Sequence, residues 1–279
     1  MKSIFFWRSR KGKRASDAPQ PAPAPPPARD RALERAIARN AIDLLFQPQI
    51  EPRTGYVVGV EALARWSGEK DPQALFARAA TYGLAERLSR TIQREALRRA
   101  GAWRGELESL RLSINLIADD LMRDGYVGWL LEEIAIAGLT PDRVTVEITE
   151  SSLIADRIAV AARLGCLRAA GVQIAIDDFG TGYSNLAYLS SLPLDALKID
   201  RGMIADLVGG SRDRIVVKAM IRLARELGLK VVVEGVESAA QLALVSQWGC
   251  DLYQGFLGAR ALDEVELERF VSATLAKAA

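Results

Sequence analysis

The strongest constraint in this chain is a recurrence: short apolar, β-rich runs end, one after another, in a single polar side chain. The residues in question are Glu61, Asn115, Glu147, Asp177, Lys198, Glu234 and Gln254. Successive gaps are 54, 32, 30, 21, 36 and 20 residues, close to one strand–helix unit each, with room for two helices in the first. The runs fall at 42–50, 56–63, 110–116, 143–148, 172–177, 195–199, 230–234 and 251–254, and helical patterns follow most of them. Continuous apolar strands alternating with helices read as a parallel sheet covered by helices. Gly55 and the short spacing between the first two runs read as an antiparallel hairpin. Eight strands closed into a barrel gather their C-terminal ends at one mouth, where such folds carry their sites. A solvated strand edge would explain any one of these polar residues alone. It does not explain seven in succession.

Helices are expected over about 30–40, over most of 72–104 and at 213–228. The last shows Ile215, Ala219, Ile221, Leu223 and Leu227 at helical spacing and Gly228 as its stop. Residues 17–29 carry six of the eleven prolines among alanines and read as an extended spacer. The folded domain is expected to begin near Asp30. The layout is thus a basic aromatic tail (1–16), a Pro/Ala-rich linker (17–29) and one domain (30–279).

The formal charge of +2 hides an asymmetry. Residues 1–14 hold six basic side chains and no acid, leaving 31 basic against 35 acidic residues elsewhere. That balance excludes a wide basic field for long nucleic acid in the main body. The tail suits weak contact with an anionic membrane surface, or it does nothing specific; its apolar run is too short for a span or signal peptide. Cys166 and Cys250 lack metal spacing and read as reduced core residues, which fits a cytoplasmic location.

The sharpest single motif is Ile174-Ala175-Ile176-Asp177-Asp178-Phe179-Gly180-Thr181-Gly182-Tyr183-Ser184-Asn185. Two adjacent carboxylates at a strand end repel each other, and burying them is costly unless a cation compensates. The chain has no histidine, so any metal here is held by oxygen ligands, which favours Mg²⁺ or Mn²⁺ over Zn²⁺.

With these residues stand Phe46-Gln47-Pro48, Glu61-Ala62-Leu63-Ala64-Arg65-Trp66, Ser113-Ile114-Asn115, Val146-Glu147-Ile148-Thr149-Glu150, Leu197-Lys198-Ile199-Asp200, Glu234-Gly235-Val236-Glu237 and Gln254-Gly255-Phe256. The ordered set, from about Arg31 to Phe270, resembles the EAL family of cyclic di-GMP phosphodiesterases. The resemblance implies a modified α/β TIM (β/α)8 barrel with one antiparallel strand. It also implies hydrolysis of cyclic di-GMP to linear pGpG with two Mg²⁺ or Mn²⁺ ions, Ca²⁺ being expected to inhibit. Glu61, Asn115, Glu147 and Asp177 would bind the first ion, and Asp177 would bridge to a second held with Asp178 and Glu234. Lys198 would position water or stabilise transition-state charge. By the same resemblance Gln47, Leu63, Arg65, Glu237 and Gln254 hold the dinucleotide, and Glu150 supports the Gly180-Thr181-Gly182 loop. A homodimer through helices near 179–200 is expected.

The chain departs from the family in two places. Ala79-Ala80-Thr81-Tyr82-Gly83 lacks the usual Glu, and Arg260-Ala261-Leu262 lacks the usual proline. Neither touches a ligand position. A catalytically silent cyclic di-GMP receptor acting through a partner is the alternative, and such proteins typically lose metal ligands. The rival phosphodiesterase class built on His-Asp ligands is excluded by the absence of histidine.

Overall fold

The computed structural model describes residues 29–149, 157–180, 187–209 and 212–278. Their eight strands close into one barrel in chain order. β1 (Asp43–Ile50) runs antiparallel to both its neighbours, β2 (Val57–Arg65) and β8 (Leu252–Tyr253). The remaining strands, β3 (Arg111–Leu116), β4 (Val144–Thr149), β5 (Gln173–Phe179), β6 (Ala196–Ile199) and β7 (Lys230–Val233), are parallel from β2 round to β8. The barrel with one reversed strand and the initial hairpin agree with the sequence reading. Gly55 turns the hairpin in the left-handed region, at φ 75°, which costs glycine little.

Helices wrap the outside. α1 (Arg31–Ala38) leads in, capped by Asp30, whose Oδ1 accepts from the backbone of Ala32 and Leu33. The expected 72–104 region splits into α2 (Pro72–Thr81) and α3 (Ala85–Ala102). Then come α4 (Ala118–Met122), α5 (Tyr126–Ile136), α6 (Arg157–Ala169), α7 (Ala187–Ser191) and α8 (Arg201–Ile204). α9 (Arg212–Glu226), α10 (Ala239–Trp248) and α11 (Glu264–Ala278) complete the layer.

The apolar core lies between strands and helices. Alternate strand residues such as Leu112, Ile114, Val144, Val146, Ile148, Ile174, Ile176, Leu197, Val231 and Val233 are almost fully buried there. The other alternation, including Ser113, Thr145, Gln173, Ala175, Ala196 and Val232, lines a cavity of about 350 Å³ inside the barrel. This interior is lined mainly by polar side chains, long ones such as Gln49, Arg111 and Gln173 among them, with a few apolar residues such as Ala175 and Val232. Glu147 and Lys198 border it.

Three details differ from expectation. β2 continues to Arg65 because it pairs with β1 along its whole length, so Glu61 is mid-strand rather than terminal. On α9 the buried face is Val217, Met220, Ile221 and Ala224, while Ile215 is 73% exposed and Leu227 faces solvent too. Two apolar stripes share this helix, and the barrel takes the one that starts at Val217. Cys166 is exposed, because α6 buries Val160, Leu164 and Leu167 and Cys166 falls on another side. Cys250 is buried as expected, and burial pushes its thiol up to about 12. The tail, and the linker up to residue 28, lie outside the described residues.

The seam beside β1 closes on aromatic packing. Phe46 is fully buried and meets Trp103 edge-on at 5.2 Å, and Trp103 Nε1 donates to Glu264 Oε1 at the start of α11 (2.9 Å). Phe46 also exchanges backbone hydrogen bonds with Leu262, so the segment without the usual proline still docks on β1. Truncating Phe46→Ala should cost about 3–5 kcal/mol of stability through the cavity it leaves, read as a lowered urea midpoint with an unchanged slope.

Candidate active site at the barrel mouth

Parallel register delivers the strand-end residues to one place. Asn115 lies beside Glu147, Thr149 beside Asp177 and Lys198 beside Val232, each one strand further round. Glu234 and Gln254 follow β7 and β8 directly. At the centre sits Lys198, only 1% exposed. Its Nζ lies 2.5 Å from Glu147 Oε2, 2.6 Å from Glu234 Oε1, 3.1 Å from Asp177 Oδ2 and 3.3 Å from Glu61 Oε2. Glu61 also accepts from Asn115 Nδ2 (2.8 Å) and from Gln254 Nε2 (2.9 Å). All seven polar residues, mid-strand Glu61 included, therefore meet in one cluster.

Four carboxylates face one ammonium here, an excess of negative charge in a buried place. The protonation equilibria follow that imbalance. Burial works against the Lys198 charge, but Asp177, Glu147, Glu234 and Glu61 outweigh it and hold the ammonium charged. Burial and the neighbouring Glu61 push Glu147 up to about 8. Glu234 is raised for the same reason, by burial and by the charges of Asp177 and Glu61. Burial also opposes ionisation of Glu61, yet Lys198, Gln254 and Asn115 together bring it below the usual range.

Carboxylate oxygens of Glu61, Glu147 and Asp177 come within 4.8 Å of one another, the spacing a single cation can bridge. The donor set is all oxygen and its charge is in excess, so the residues present fit one or more hard divalent cations. Gln254 Oε1 is buried without a hydrogen-bond partner among the described residues, an acceptor left over for a bound group.

The Asp177-Asp178 pair is resolved by backbone geometry. Strict alternation would send Asp178 to the opposite face of β5 from Asp177. A register shift between Ile176 and Phe179, with Asp178 at φ 55°, turns it back to the mouth. Its main-chain N–H donates to Asp177 Oδ1 at 2.8 Å. Burial, then the charges of Asp177 and Asp200, raise its pKa. Gly180 follows at φ 106°, and a Cβ there would come within 2.1 Å of Met203 Sδ.

An open cavity of about 270 Å³ adjoins this cluster, sharing Glu61, Glu234 and Gln254 with it and lined as well by Gln47, Leu63, Asp178 and Glu237, all expected site residues. Gln47 is fixed by donation to the Ala259 carbonyl. Arg65 is not in this lining; its Nη1 donates to the Ala64 carbonyl at 2.8 Å. Gln73 and Arg201 also line it and were not singled out from the sequence, and so do Asp200 and Phe256, which stand in its motifs but were given no role. Asp200 was detectable in principle, since it follows a strand-end lysine and caps α8 by accepting from Gly202 N–H (2.7 Å). Phe256 is 73% exposed at the rim, a costly place for a large apolar ring. Glu150, Thr181 and Gly182 lie outside the described residues.

The EAL domain profile matches residues 30–261. The chain belongs to the EAL domain family. Among relatives, cyclic di-GMP phosphodiesterase NbdA of Pseudomonas aeruginosa is 38% identical over 244 residues, 85% of this chain and 31% of that protein. The bifunctional diguanylate cyclase/cyclic di-GMP phosphodiesterase MucR of the same organism is 37% identical over 237 residues, 83% of this chain and 35% of that protein. The chain thus spans about a third of the length of these curated relatives. A solved structure of the PaMucR phosphodiesterase in complex with c-di-GMP superposes with a TM-score of 0.78 at 36% identity, covering 84% of this chain and 97% of that one. Klebsiella pneumoniae BlrP1, solved as manganese and calcium complexes with cy-diGMP, gives 0.72 at 32% identity over 79% of this chain and 56% of that one.

Two measurements test this electrostatic arrangement. Lys198→Met should destabilise the metal-free protein by about 3–5 kcal/mol at pH 8, where the carboxylates lose their one cation. Near pH 5 the loss should be smaller, because protonation relieves the repulsion; urea unfolding at both pH values checks this. Binding a divalent cation at pH 7 should release about one proton, since Glu147, pushed up to about 8, holds its own in the metal-free state and a ligand must give it up. Release should fade by pH 9, and calorimetry in buffers of different ionisation enthalpy reads it.

Proposed function

We propose that this EAL domain hydrolyses cyclic di-GMP to linear pGpG, using two Mg²⁺ or Mn²⁺ ions. The observation that carries this reading is the intact cluster: Glu61, Glu147, Asp177 and Glu234 converge on Lys198 at the mouth, and Asn115 joins them through its donation to Glu61. Glu61, Asn115, Glu147 and Asp177 would hold the first ion, and Asp177 with Asp178 and Glu234 the second. Bound divalent ions supply a water of lowered pKa and offset charge on the phosphodiester.

The chain's own residues do the rest. Lys198 is a fixed, always-charged donor, suited to orient water and to stabilise negative charge developing on the phosphoryl oxygens. Gln47, Leu63, Glu237 and Gln254, with the cavity they line, would hold the dinucleotide. Arg65, at the end of β2 beside the mouth, would have to swing from Ala64 to meet a phosphate, for which its planar fork is well matched. Glu150 would brace the Gly180-Thr181-Gly182 loop.

The relatives support this substrate, being named for cyclic di-GMP hydrolysis or solved with it. BlrP1 was solved with both manganese and calcium, and here Ca²⁺ would occupy the site without supporting turnover. A homodimer through helices near 179–200 is part of the same reading, although 181–186 lie outside the described residues; Val208, Ile215 and Val216, beyond that region, also present apolar surface that would suit a second copy. No helix among the described residues is long and apolar enough to cross a membrane. We place the protein in the cytoplasm, with residues 1–14 as a weak membrane-surface contact, residues 17–29 as a spacer and 30–279 as the catalytic domain.

Incubating the purified chain with cyclic di-GMP should yield pGpG in Mg²⁺ or Mn²⁺ and none in Ca²⁺, by chromatography of the nucleotides. Glu61→Ala should lower kcat by about 10³-fold or more, the scale of losing a group that places transition-state charge. Tight binding of cyclic di-GMP without product in either metal would replace this reading with that of a silent receptor.

A further inference from the structure

Behind Asn115 lies a buried polar chain that the chemistry above does not use. α3 passes beside the end of β3 and presents Ser89 and Gln93, one helical turn apart; α4 adds Asp120 and α5 adds Tyr126. All four are at most 1% exposed. Tyr126 Oη donates to Gln93 Oε1 (2.9 Å), which orients the amide. Gln93 Nε2 then faces the main-chain carbonyl of Asn115 (3.1 Å), Ser89 Oγ (2.9 Å) and Asp120 Oδ2 (3.2 Å). Ser89 Oγ donates to Asp120 Oδ2 at 2.5 Å, and Arg123 Nη1 donates to Asp120 Oδ1 at 3.1 Å.

Asn115 is therefore gripped at two points. Its side chain donates to Glu61 Oε1, and its carbonyl accepts from Gln93. The neighbours of Gln93 on the inner face of α3 are Leu88, Ile92, Ala96 and Leu97, all buried and apolar. An apolar residue at 93 would satisfy packing at lower cost, since a buried amide is unfavourable unless fully bonded. A polar chain of four buried side chains ending on one candidate ligand residue is a costly structure with a local target.

We propose that Gln93, oriented by Tyr126 and anchored by Ser89 and Asp120, is a positioning residue that fixes Asn115 for cation binding. The inference rests on the reading of the mouth as a metal site. Groups behind a ligand typically change metal affinity by one to two orders of magnitude when removed. A role confined to packing would lower stability and leave affinity alone.

The test titrates Mn²⁺ into the metal-free full chain and follows free Mn²⁺ by electron paramagnetic resonance, at a temperature where circular dichroism shows each protein folded. Gln93→Leu should raise the Mn²⁺ Kd about tenfold. Tyr126→Phe, which removes only the hydroxyl that orients the amide, should raise it by a smaller factor. Leu97→Ala, on the same helix and facing the core, should lower Tm without moving Kd. Wild-type affinity in both Gln93→Leu and Tyr126→Phe overturns the proposal, and if Gln93→Leu does not fold, Tyr126→Phe decides. A wild-type chain that fails to hold Mn²⁺ overturns the metal reading first, and the role of Gln93 with it.

Discussion

A buried lysine among three buried carboxylates and a fourth that is partly exposed sets the terms for the rest of this molecule. Like charges brought together out of water repel strongly, and one ammonium leaves the cluster uncompensated. Such a site persists only where the backbone beneath it cannot relax. Each charged side chain is accordingly borne by a different strand of a closed barrel, or by the residue directly after one. No single loop can move to separate them. Two further polar groups, Asn115 and Gln254, hold Glu61 from either flank of β2.

The stabilisation that offsets this repulsion lies elsewhere in the fold. Alternation sorts the strands into an outward apolar row and an inward row of mostly polar or small residues, so the driving force sits in the layer between strands and helices. The barrel interior, lined by residues such as Ser113, Thr145 and Ala175, is left roomy and polar. That division lets the mouth be electrostatically unfavourable while the domain as a whole remains folded.

The same alternation explains what could be read from the chain. Seven polar residues interrupting apolar runs at unit spacing identified the barrel, the mouth and the central cluster, because strand period and burial act on neighbours in sequence. Asp178 was placed at the site by its motif, but the means was not legible: alternation alone sends it to the wrong face, and only the register shift and the left-handed backbone bring it round. Cys166 and Ile215 were misjudged because a helix can offer two faces of similar hydrophobicity, and tertiary packing chooses between them. The chain of Ser89, Gln93, Asp120 and Tyr126 left no trace at all. Its members are ordinary helix residues until the fold brings positions 89 and 120 within 2.5 Å.

The reversed first strand adds a last consequence. Because β1 runs against its neighbours, Gln47 reaches the mouth from a strand whose C-terminal end lies at the opposite side of the barrel. β1 is thus held by three partners: β2 along its length, β8 at Ile50, and the Phe46–Leu262 bridge from the segment before α11. A side chain needed at the mouth is in this way tied to the C-terminal helix through Trp103 and Glu264. Beyond α10, then, the chain both brings Gln254 to the mouth and helps to hold the antiparallel β1, through β8, Leu262 and Glu264, on which the placing of Gln47 depends.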